Sequence, residues 1–243
     1  MRSIAIFSDV HGNMPALEAV LKDIEAKGIS ELYCLGDLVD FAPWSNEVIN
    51  KIRELNIPCL MGNHDERIAF DYPVVPLSKH DALETEARLI AINHTKAILS
   101  ESNKAFLSKL PEQLEVALDI GAQKKNLLLV HGSVKNNDEY IYENHSSADL
   151  QKMMADVNAE ILVMGHTHLP YIRSLGSQLV INCGSVGRSR ALDRKATYLI
   201  LNIQESNIEA EIVSLSYDLQ KTISSIRESE IPDFYADFLS VIQ

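Results

Sequence analysis

Short apolar runs alternate with amphipathic segments over the first sixty residues, and this alternation is the strongest constraint on the fold. The apolar runs occupy residues 4–7, 32–35 and 57–61. The segment between the first two runs starts with Asn13 ahead of Pro15 and stops at Gly28, as a helix with an N-terminal cap and a C-terminal glycine does. The order therefore predicts strand, helix, strand, helix, strand, which is the start of an α/β protein.

The rest of the chain predicts more strands and a set of helices. Runs at 127–130 and Ile161–Met164 have the composition of buried strands, and a helix over 148–157 joins them. Three further strands are predicted at Gln178–Asn182, Ala196–Ile203 and 208–213. We expect one domain over 1–243, a two-sheet α/β sandwich with a helical insertion at about 78–111 and helices at about 217–243.

Composition and charge limit the classes of partner. The 46% hydrophobic and 23% charged residues are typical of a globular chain. A formal net charge of −12 opposes strong binding to nucleic acid or to anionic membranes, because both depend on Lys and Arg neutralising phosphate. No apolar run approaches the length of a membrane span, so we expect a cytoplasmic protein. An anionic substrate would need a local positive centre, which bound metal ions can supply.

Five short polar motifs each follow a predicted strand. Because ligands of open α/β sheets collect beyond the carboxyl ends of strands, these motifs are expected to converge on one site. Imidazole and carboxylate together suit mid-row divalent cations. The motifs are Asp9-Val10-His11, Gly36-Asp37, Gly62-Asn63-His64-Asp65, His131-Gly132 and Gly165-His166-Thr167-His168.

The motifs differ in specificity. Taken alone, Gly36-Asp37 is more often a simple turn, whereas three consecutive polar groups at Asn63, His64 and Asp65 rarely serve packing. Five of the eight histidines lie in the motifs. The other three are predicted to be solvated on the surface; they are His80, His94 and His145.

In this order the motifs resemble the complete pattern of the calcineurin-like metallophosphoesterase superfamily. Similarity outside the motifs, through residues 42–48, 106–111, 182–187 and 217–218, is greatest to its small bacterial and archaeal phosphodiesterases and diadenosine-tetraphosphatase-like members. Cys183 departs from that group, which usually has Pro there, but no metal ligand is missing. The resemblance implies a four-layer α-β-β-α sandwich of two mixed β-sheets flanked by helices.

The resemblance also implies two divalent metal ions, with manganese favoured and iron, nickel, zinc or cobalt as the other choices. By resemblance, Asp37 bridges both ions. A metal-bound hydroxide attacks phosphorus, and His64, oriented by Asp65, is the candidate general acid. The remaining implied ligands are Asp9, His11 and His168 for the first ion and Asn63, His131 and His166 for the second.

Two further pairs of residues are candidates for substrate contact. Arg188 and Arg190 follow a glycine-containing loop and could hold phosphate, although a solvated loop fits the pattern equally well. Phe41 and Trp44 could stack on a nucleobase, but ordinary packing is favoured for them.

Several functions remain open at this point. The leading hypothesis is hydrolysis of a small phosphorylated substrate, a phosphodiester or a dinucleoside polyphosphate, with a nucleotide as one option. The alternatives are a phosphomonoesterase, such as a protein phosphatase or nucleotidase, and a non-catalytic binding scaffold. A nuclease is disfavoured by the acidic chain, and the oligomeric state is left open.

Overall fold

A computed structural model describes residues 2–78, 80–121 and 123–241. Within these residues the chain forms nine strands and eight helices. The strands are β1 (Arg2–Phe7), β2 (Glu31–Cys34), β3 (Gln113–Ile120), β4 (Gln123–Val130), β5 (Ile161–Met164), β6 (Tyr171–Leu175), β7 (Gln178–Asn182), β8 (Ala196–Ile203) and β9 (Ile208–Leu215). The helices are α1 (Met14–Ala26), α2 (Ser45–Glu54), α3 (Asn63–Ala69), α4 (Ala82–Ile98), α5 (Glu101–Leu107), α6 (Ser147–Asp156), α7 (Leu219–Arg227) and α8 (Asp233–Ser240).

The strands form two mixed sheets. The four-stranded sheet has the order β2-β1-β8-β9, in which β1 and β2 are parallel. The five-stranded sheet has the order β3-β4-β5-β7-β6, in which β4, β5 and β7 are parallel to one another. Parallel pairing places the carboxyl ends of β1 and β2 at one edge, and those of β4 and β5 likewise, which is where ligands of such sheets collect.

The two sheets pack face to face, and helices cover their outer faces. Between the sheets lies an aliphatic layer that includes Ile4 and Ile6 of β1, Leu199 of β8 and Val163 of β5. The outer face of the four-stranded sheet packs on helices that include α1 and α2, and that of the five-stranded sheet packs on α6. The predicted four-layer α-β-β-α sandwich is therefore confirmed.

Local sequence explains the first helix and its position. Asn13 caps α1 by accepting a hydrogen bond from the Ala16 amide, and Gly28 follows the helix in the left-handed region at φ +69°. Leu17, Val20 and Ile24 are buried along one face, which is the spacing of an amphipathic helix. The helix starts shortly after the Asp9-Val10-His11 motif and therefore fixes the position of the C-terminal end of that loop.

Some predicted elements differ from those observed. Residues 57–61 form only an isolated parallel bridge between Cys34 and Cys59, not a full strand. Pro58 has no amide hydrogen to donate, so the ladder cannot extend through it. The strands β3 and β6 and the helix α3 were not predicted, although β3 shows a period-two alternation of apolar residues from Leu114 to Ile120.

The helices at 82–107 and 219–240 pack partly on each other. Ala87 and Ala91 of α4 contact a cluster that contains Ile223 of α7 and Tyr235 of α8. Ile92 and Leu107 instead reach the core beneath the four-stranded sheet. The inserted helices thus lie beside the carboxyl edge of the sheets. No helix within the described residues is both long and apolar enough to cross a membrane.

Candidate metal centre

Three loops that follow strands are joined by backbone hydrogen bonds. The amides of Asp9 and His11 donate to the carbonyls of Gly36 and Asp37, with N···O distances of 2.9 Å in both cases. The Gly187 amide donates to the Asp9 carbonyl at 2.9 Å. This network holds the loops after β1, β2 and β7 in a fixed relation to each other, as a multi-ligand site requires.

Four predicted ligands form a first group beside the end of β1: Asp9, His11, Asp37 and His168. One ligand atom from each lies within 4.8 Å of the others. The closest approaches are between His168 Nε2 and Asp9 Oδ1 and between His168 Nε2 and His11 Nε2, both at 3.1 Å. All four side chains are buried.

A second group shares Asp37 with the first. His131 and His166 place one ring nitrogen each within 4.8 Å of an Asp37 carboxylate oxygen and of one another. Asn63 joins them, since its Oδ1 lies 3.3 Å from His131 Nε2. The structure thus brings all seven predicted ligands together in two groups with Asp37 between them.

The acceptor atoms of the two carboxylates are arranged to receive cations. Asp9 Oδ2 accepts from the His166 amide and Asp37 Oδ1 from the His64 amide, both at 2.9 Å. The other oxygens, Asp9 Oδ1 and Asp37 Oδ2, are buried with no hydrogen-bond donor among the described residues. A buried carboxylate oxygen without a donor is costly unless it binds a metal ion or another cation.

Backbone carbonyls set the orientation of the four imidazoles. The Nδ1 atoms of His11, His131 and His168 lie 2.7–2.9 Å from the carbonyls of Val39, Leu35 and Arg188, which leaves Nε2 free to bind a cation. His166 uses Nε2 for the Asp138 carbonyl at 3.1 Å and so offers Nδ1. Such a partner on the second ring nitrogen is the usual arrangement around metal-binding histidines.

The electrostatics of the site favour ionised carboxylates and neutral imidazoles. Burial alone would raise the pKa of Asp37, but attraction to His131 and His64 outweighs it and holds that pKa well below its ordinary value. Burial lowers the pKa of His11 and of His166 to about 3 in each case. His131 is the exception, because Asp37 outweighs burial and raises its pKa to about 10. Metal ions bind deprotonated groups, so most of these side chains are already in the protonation state that binds a metal ion.

Five of the seven predicted ligands have left-handed backbone conformations, at φ between +49° and +64°: Asp9, His11, Asp37, His166 and His168. Such conformations cost roughly 1–3 kcal/mol each in a residue with a side chain. Their concentration here is typical of a functional site, since strain persists only where the surrounding structure enforces it. Gly165 allows this close packing, because a Cβ there would lie 2.6 Å from Asp9 Oδ2.

His64 pairs with Asp40, and the predicted pairing with Asp65 is wrong. His64 Nδ1 lies 2.6 Å from Asp40 Oδ2. Asp65 instead accepts hydrogen bonds from the amides of Gly62, Asp37 and Leu38, at 2.7–3.1 Å. As the third residue of α3, Asp65 turns its side chain back over the helix start and cannot reach the His64 ring, although it fixes the loop that carries Asp37.

A pocket of about 140 Å³ opens over the two groups. Arg188 and Arg190 both line it, as the sequence suggested. The Arg188 guanidinium lies 4.2 Å from the ring centroid of Phe41 and 5.1 Å from that of Phe238. Phe41 is only 5% exposed, so packing, not base stacking, accounts for it. Trp44 packs against the α4, α7 and α8 cluster.

Other residues of the site besides Asp40 were missed or misjudged. His80 lines the pocket instead of lying solvated on the surface, and its Nε2 is 3.3 Å from Glu84 Oε1. Arg67 and Arg88 also line the pocket. The spacing of Arg67, four residues after Asn63 and therefore on the same face of α3, could have identified it. Arg88 belongs to the inserted helix α4, whose position the local sequence does not determine.

The chain is similar to known proteins over most of its length. The sequence profile of the calcineurin-like phosphoesterase superfamily domain matches residues 1–206. The chain belongs to the calcineurin-like phosphoesterase superfamily. This family implies divalent metal ions and hydrolysis of phosphoester bonds, and the two groups of His and Asp side chains could hold such ions.

Several relatives of this phosphoesterase match over nearly their whole length. An uncharacterized protein of Methanocaldococcus jannaschii is 30% identical over 97% of this chain and 96% of its own. The crystal structure of a metallophosphoesterase from Sphaerobacter thermophilus has 26% identity and a TM-score of 0.76 over 100% of this chain and 99% of its own. A hypothetical protein from Pyrococcus horikoshii shares the fold, with a TM-score of 0.82, 24% identity and 98% of each chain covered.

Proposed function

We propose that this phosphoesterase binds two divalent cations, manganese being the favoured one, and hydrolyses a phosphodiester or a dinucleoside polyphosphate. Asp9, His11 and His168 would bind the first cation, and Asn63, His131 and His166 the second. Asp37 lies between the groups, 3.6 Å from His11 Nε2 and 3.4 Å from His131 Nε2 through the same Oδ2 atom. A carboxylate in that position offsets the mutual repulsion of two cations.

The single observation that carries the proposal is the pair of bare carboxylate oxygens, Asp9 Oδ1 and Asp37 Oδ2. They face the Nε2 atoms of His11, His131 and His168 inside a buried site. A structural role would have given these oxygens hydrogen-bond donors. Two cations bound there would lower the pKa of water and stabilise negative charge on the phosphoryl oxygens.

The protein's own groups would complete the reaction. His64 lines the pocket beside the cation ligands and is the candidate donor of a proton to the leaving oxygen. The hydrogen bond to Asp40 occupies Nδ1 of the His64 ring and fixes the tautomer, so that Nε2 is the nitrogen available to a substrate in the pocket. Burial lowers the pKa of His64 and raises that of Asp40 to about 7, so a protonated Asp40 can donate from Oδ2 to Nδ1, which leaves the N–H of the neutral ring on Nε2.

Hydrolysis assays on metal-stripped protein test this function. The substrates are bis-p-nitrophenyl phosphate, p-nitrophenyl phosphate and diadenosine tetraphosphate, each with and without added manganese. Manganese-dependent turnover that Asp37→Asn abolishes is the expected result, and the three rates rank diester, monoester and polyphosphate. Bound metal without turnover of any substrate would contradict the proposal and favour a binding scaffold.

A further inference from the structure

The loop after β4 begins with one candidate ligand, His131, and then runs back to contact another, His166. The His166 Nε2 atom donates to the Asp138 carbonyl at 3.1 Å. The Tyr140 ring lies against the same imidazole, with 4.0 Å between the ring centroids and 42° between the ring planes. Tyr140 is half-buried and lines the pocket. Residues 138–142, here called the Tyr140 segment, therefore contact the His166 ring in two places.

The backbone and the ring of His166 belong to different ligand groups. The His166 amide donates to Asp9 Oδ2 at 2.9 Å, which ties its backbone to the first group. Its ring belongs to the second group, with Asp37 and His131, and lies 5.2 Å from the His131 ring between centroids. The hydrogen bond of the amide leaves both side-chain torsions of His166 free. Contacts to the ring itself are needed to fix them.

The other three imidazoles of the site are oriented in a different way. Each uses Nδ1 to contact a backbone carbonyl in the loop after β2 or the loop after β7. His166 instead uses Nε2, and its carbonyl partner comes from Asp138 in the loop after β4. The orientation of His166 therefore depends on a different part of the chain from that of the other three.

The Tyr140 segment is anchored at both ends. At its start, Asn137 Nδ2 donates to Glu66 Oε2 of α3 at 3.0 Å. Beyond Tyr140, Ile141 is 1% exposed in the cluster under α6, and its carbonyl accepts from the Tyr171 hydroxyl of β6 at 2.8 Å. A ring on an anchored segment has a fixed position of its own, so Tyr140 can hold a neighbouring ring in place.

The contact between Tyr140 and His166 is close enough to restrict the imidazole. Aromatic pairs usually have centroids roughly 4.5–7 Å apart, and this pair is at 4.0 Å. The imidazole cannot turn about its Cβ–Cγ bond without displacing the phenol ring. Tyr142 stacks on Tyr140 at 5.7 Å with 16° between the planes, and it is 39% exposed. The aromatic pair thus lies at the surface of the pocket, and core packing does not account for it.

We propose that Tyr140 is a positioning residue for the second cation, because its ring holds the His166 imidazole with Nδ1 directed toward the other ligands of that group. The inference rests on the proposed function and deepens it. The affinity of the second site then depends on Tyr140, whereas the affinity of the first does not. Partners that orient metal-binding histidines typically change metal affinity by about tenfold to a hundredfold. The role belongs to the ring of Tyr140 and not to its hydroxyl.

The test is a calorimetric titration of metal-stripped protein with manganese, checked by elemental analysis after gel filtration. The unaltered protein should bind two ions per chain. We expect Tyr140→Ala to bind one ion with unchanged affinity and the other about tenfold to a hundredfold more weakly. Tyr140→Phe should bind both ions with affinities within about threefold of the unaltered protein, because the aromatic ring is kept.

Two controls show whether the effect passes through His166. His166→Ala removes a ligand of the second group, so adding Tyr140→Ala to it should leave the affinity for the remaining ion unchanged, as a double-mutant cycle requires of a residue that acts only through another. Tyr72→Ala is the matched control. Tyr72 is 48% exposed, its ring also stacks on an aromatic ring, that of Phe70 at 5.7 Å, and it lies outside the pocket. This variant should change neither affinity.

A further variant covers the case in which Tyr140→Ala folds poorly. Tyr140→Leu keeps an apolar side chain at this position but has no flat ring to lie against the imidazole. We expect it to weaken the second ion as Tyr140→Ala does, while its metal-free melting temperature stays close to that of Tyr140→Phe. Comparison of the Leu and Phe variants then carries the test.

The outcomes separate this inference from the proposed function. Two ions bound with unchanged affinity by Tyr140→Ala and Tyr140→Leu, equal weakening of both ions, or a Tyr140→Phe protein as weak as Tyr140→Ala would overturn the role of the Tyr140 ring, while two ions in the unaltered protein still supported the proposed function. An unaltered protein that binds fewer than two manganese ions per chain would instead overturn the proposed function, and the inference with it.

Discussion

His64 Nδ1 lies 2.6 Å from Asp40 Oδ2, and this contact joins the loop after β2 to the start of α3. Asp40 is fully buried and has a left-handed backbone at φ +73°. The adjacent Phe41 ring packs 4.9 Å from the rings of both His11 and His64. The His64 ring is therefore held by a carboxylate on one side and an aromatic ring on the other. These contacts fix its position relative to the two groups of candidate metal ligands.

The pairing predicts different effects for Asp40 and Asp65. We expect Asp40→Asn to lower kcat by about tenfold to a hundredfold with metal content unchanged, because it disturbs only the orientation of His64. His64→Ala should lower kcat by about a hundredfold or more. Asp65→Asn should instead lower the melting temperature and the metal content, because Asp65 accepts three backbone hydrogen bonds around Asp37.

Steady-state kinetics, elemental analysis and thermal melts on the three variants check this. Loss of turnover in Asp40→Asn combined with full metal occupancy supports the pairing. An Asp40→Asn protein as active as the unaltered one would show that the contact with His64 has no part in catalysis.

Sequence patterns identified the candidate ligands because each lies next to a strand end. A strand of four to six apolar residues fixes the position of the residue that follows it, so Asp9, Asp37, His131 and His166 could be assigned to one edge of the sheets. The parallel pairing of β1 with β2 and of β4 with β5 then brings them together. The resemblance to a known family added a prediction of which residues would share a cation.

Tertiary placement decided what the sequence did not reveal. Asp65 follows His64 directly, yet helix geometry directs its side chain to the backbone, while Asp40 reaches His64 across 24 residues of sequence. Arg88 and His80 enter the pocket only because α4 packs against α7 and α8. Such contacts depend on how separate elements dock, and no local spacing encodes that.

Substitution of Arg190 tests substrate binding on the His168 side of the pocket. Its backbone amide donates to the His168 carbonyl at 3.2 Å, and its side chain lines the pocket. We expect Arg190→Ala to raise KM by about tenfold with a smaller change in kcat, since a charge-assisted hydrogen bond to the attacked phosphoryl group is lost. Arg173→Ala, which lies outside the pocket on β6, is the control. An unchanged KM would mean that Arg190 is a solvated loop residue.

Removal of single metal ligands should separate the two cation sites. We expect His168→Ala to bind about one cation per chain, because it takes away one donor of the first group only. Asp37→Asn should reduce binding at both sites, because Asp37 belongs to both groups. Elemental analysis of the purified variants measures this. Two full equivalents of metal in Asp37→Asn would contradict the placement of Asp37 between the cations.

The last prediction concerns stability, at a contact far from the metal groups. Lys27 and the buried Tyr198 hydroxyl donate to Asp23 at 2.8 and 2.7 Å, and these hydrogen bonds lower the pKa of Asp23 below its ordinary value of 3.8. A lowered folded-state pKa stabilises the protein at pH values above the unfolded-state pKa, and this stabilisation is lost as pH falls through the folded-state pKa.

We therefore expect Asp23→Asn to lower the free energy of unfolding at neutral pH by less than about 1 kcal/mol, since the ion pair is partly exposed. The difference from the unaltered protein should shrink below about pH 4, where the unfolded aspartate takes up its proton. Urea unfolding at a series of pH values measures it, with Glu18→Gln on the exposed face of α1 as the matched control. A difference that stays constant across the series would show that the charge of Asp23 does not contribute to folding.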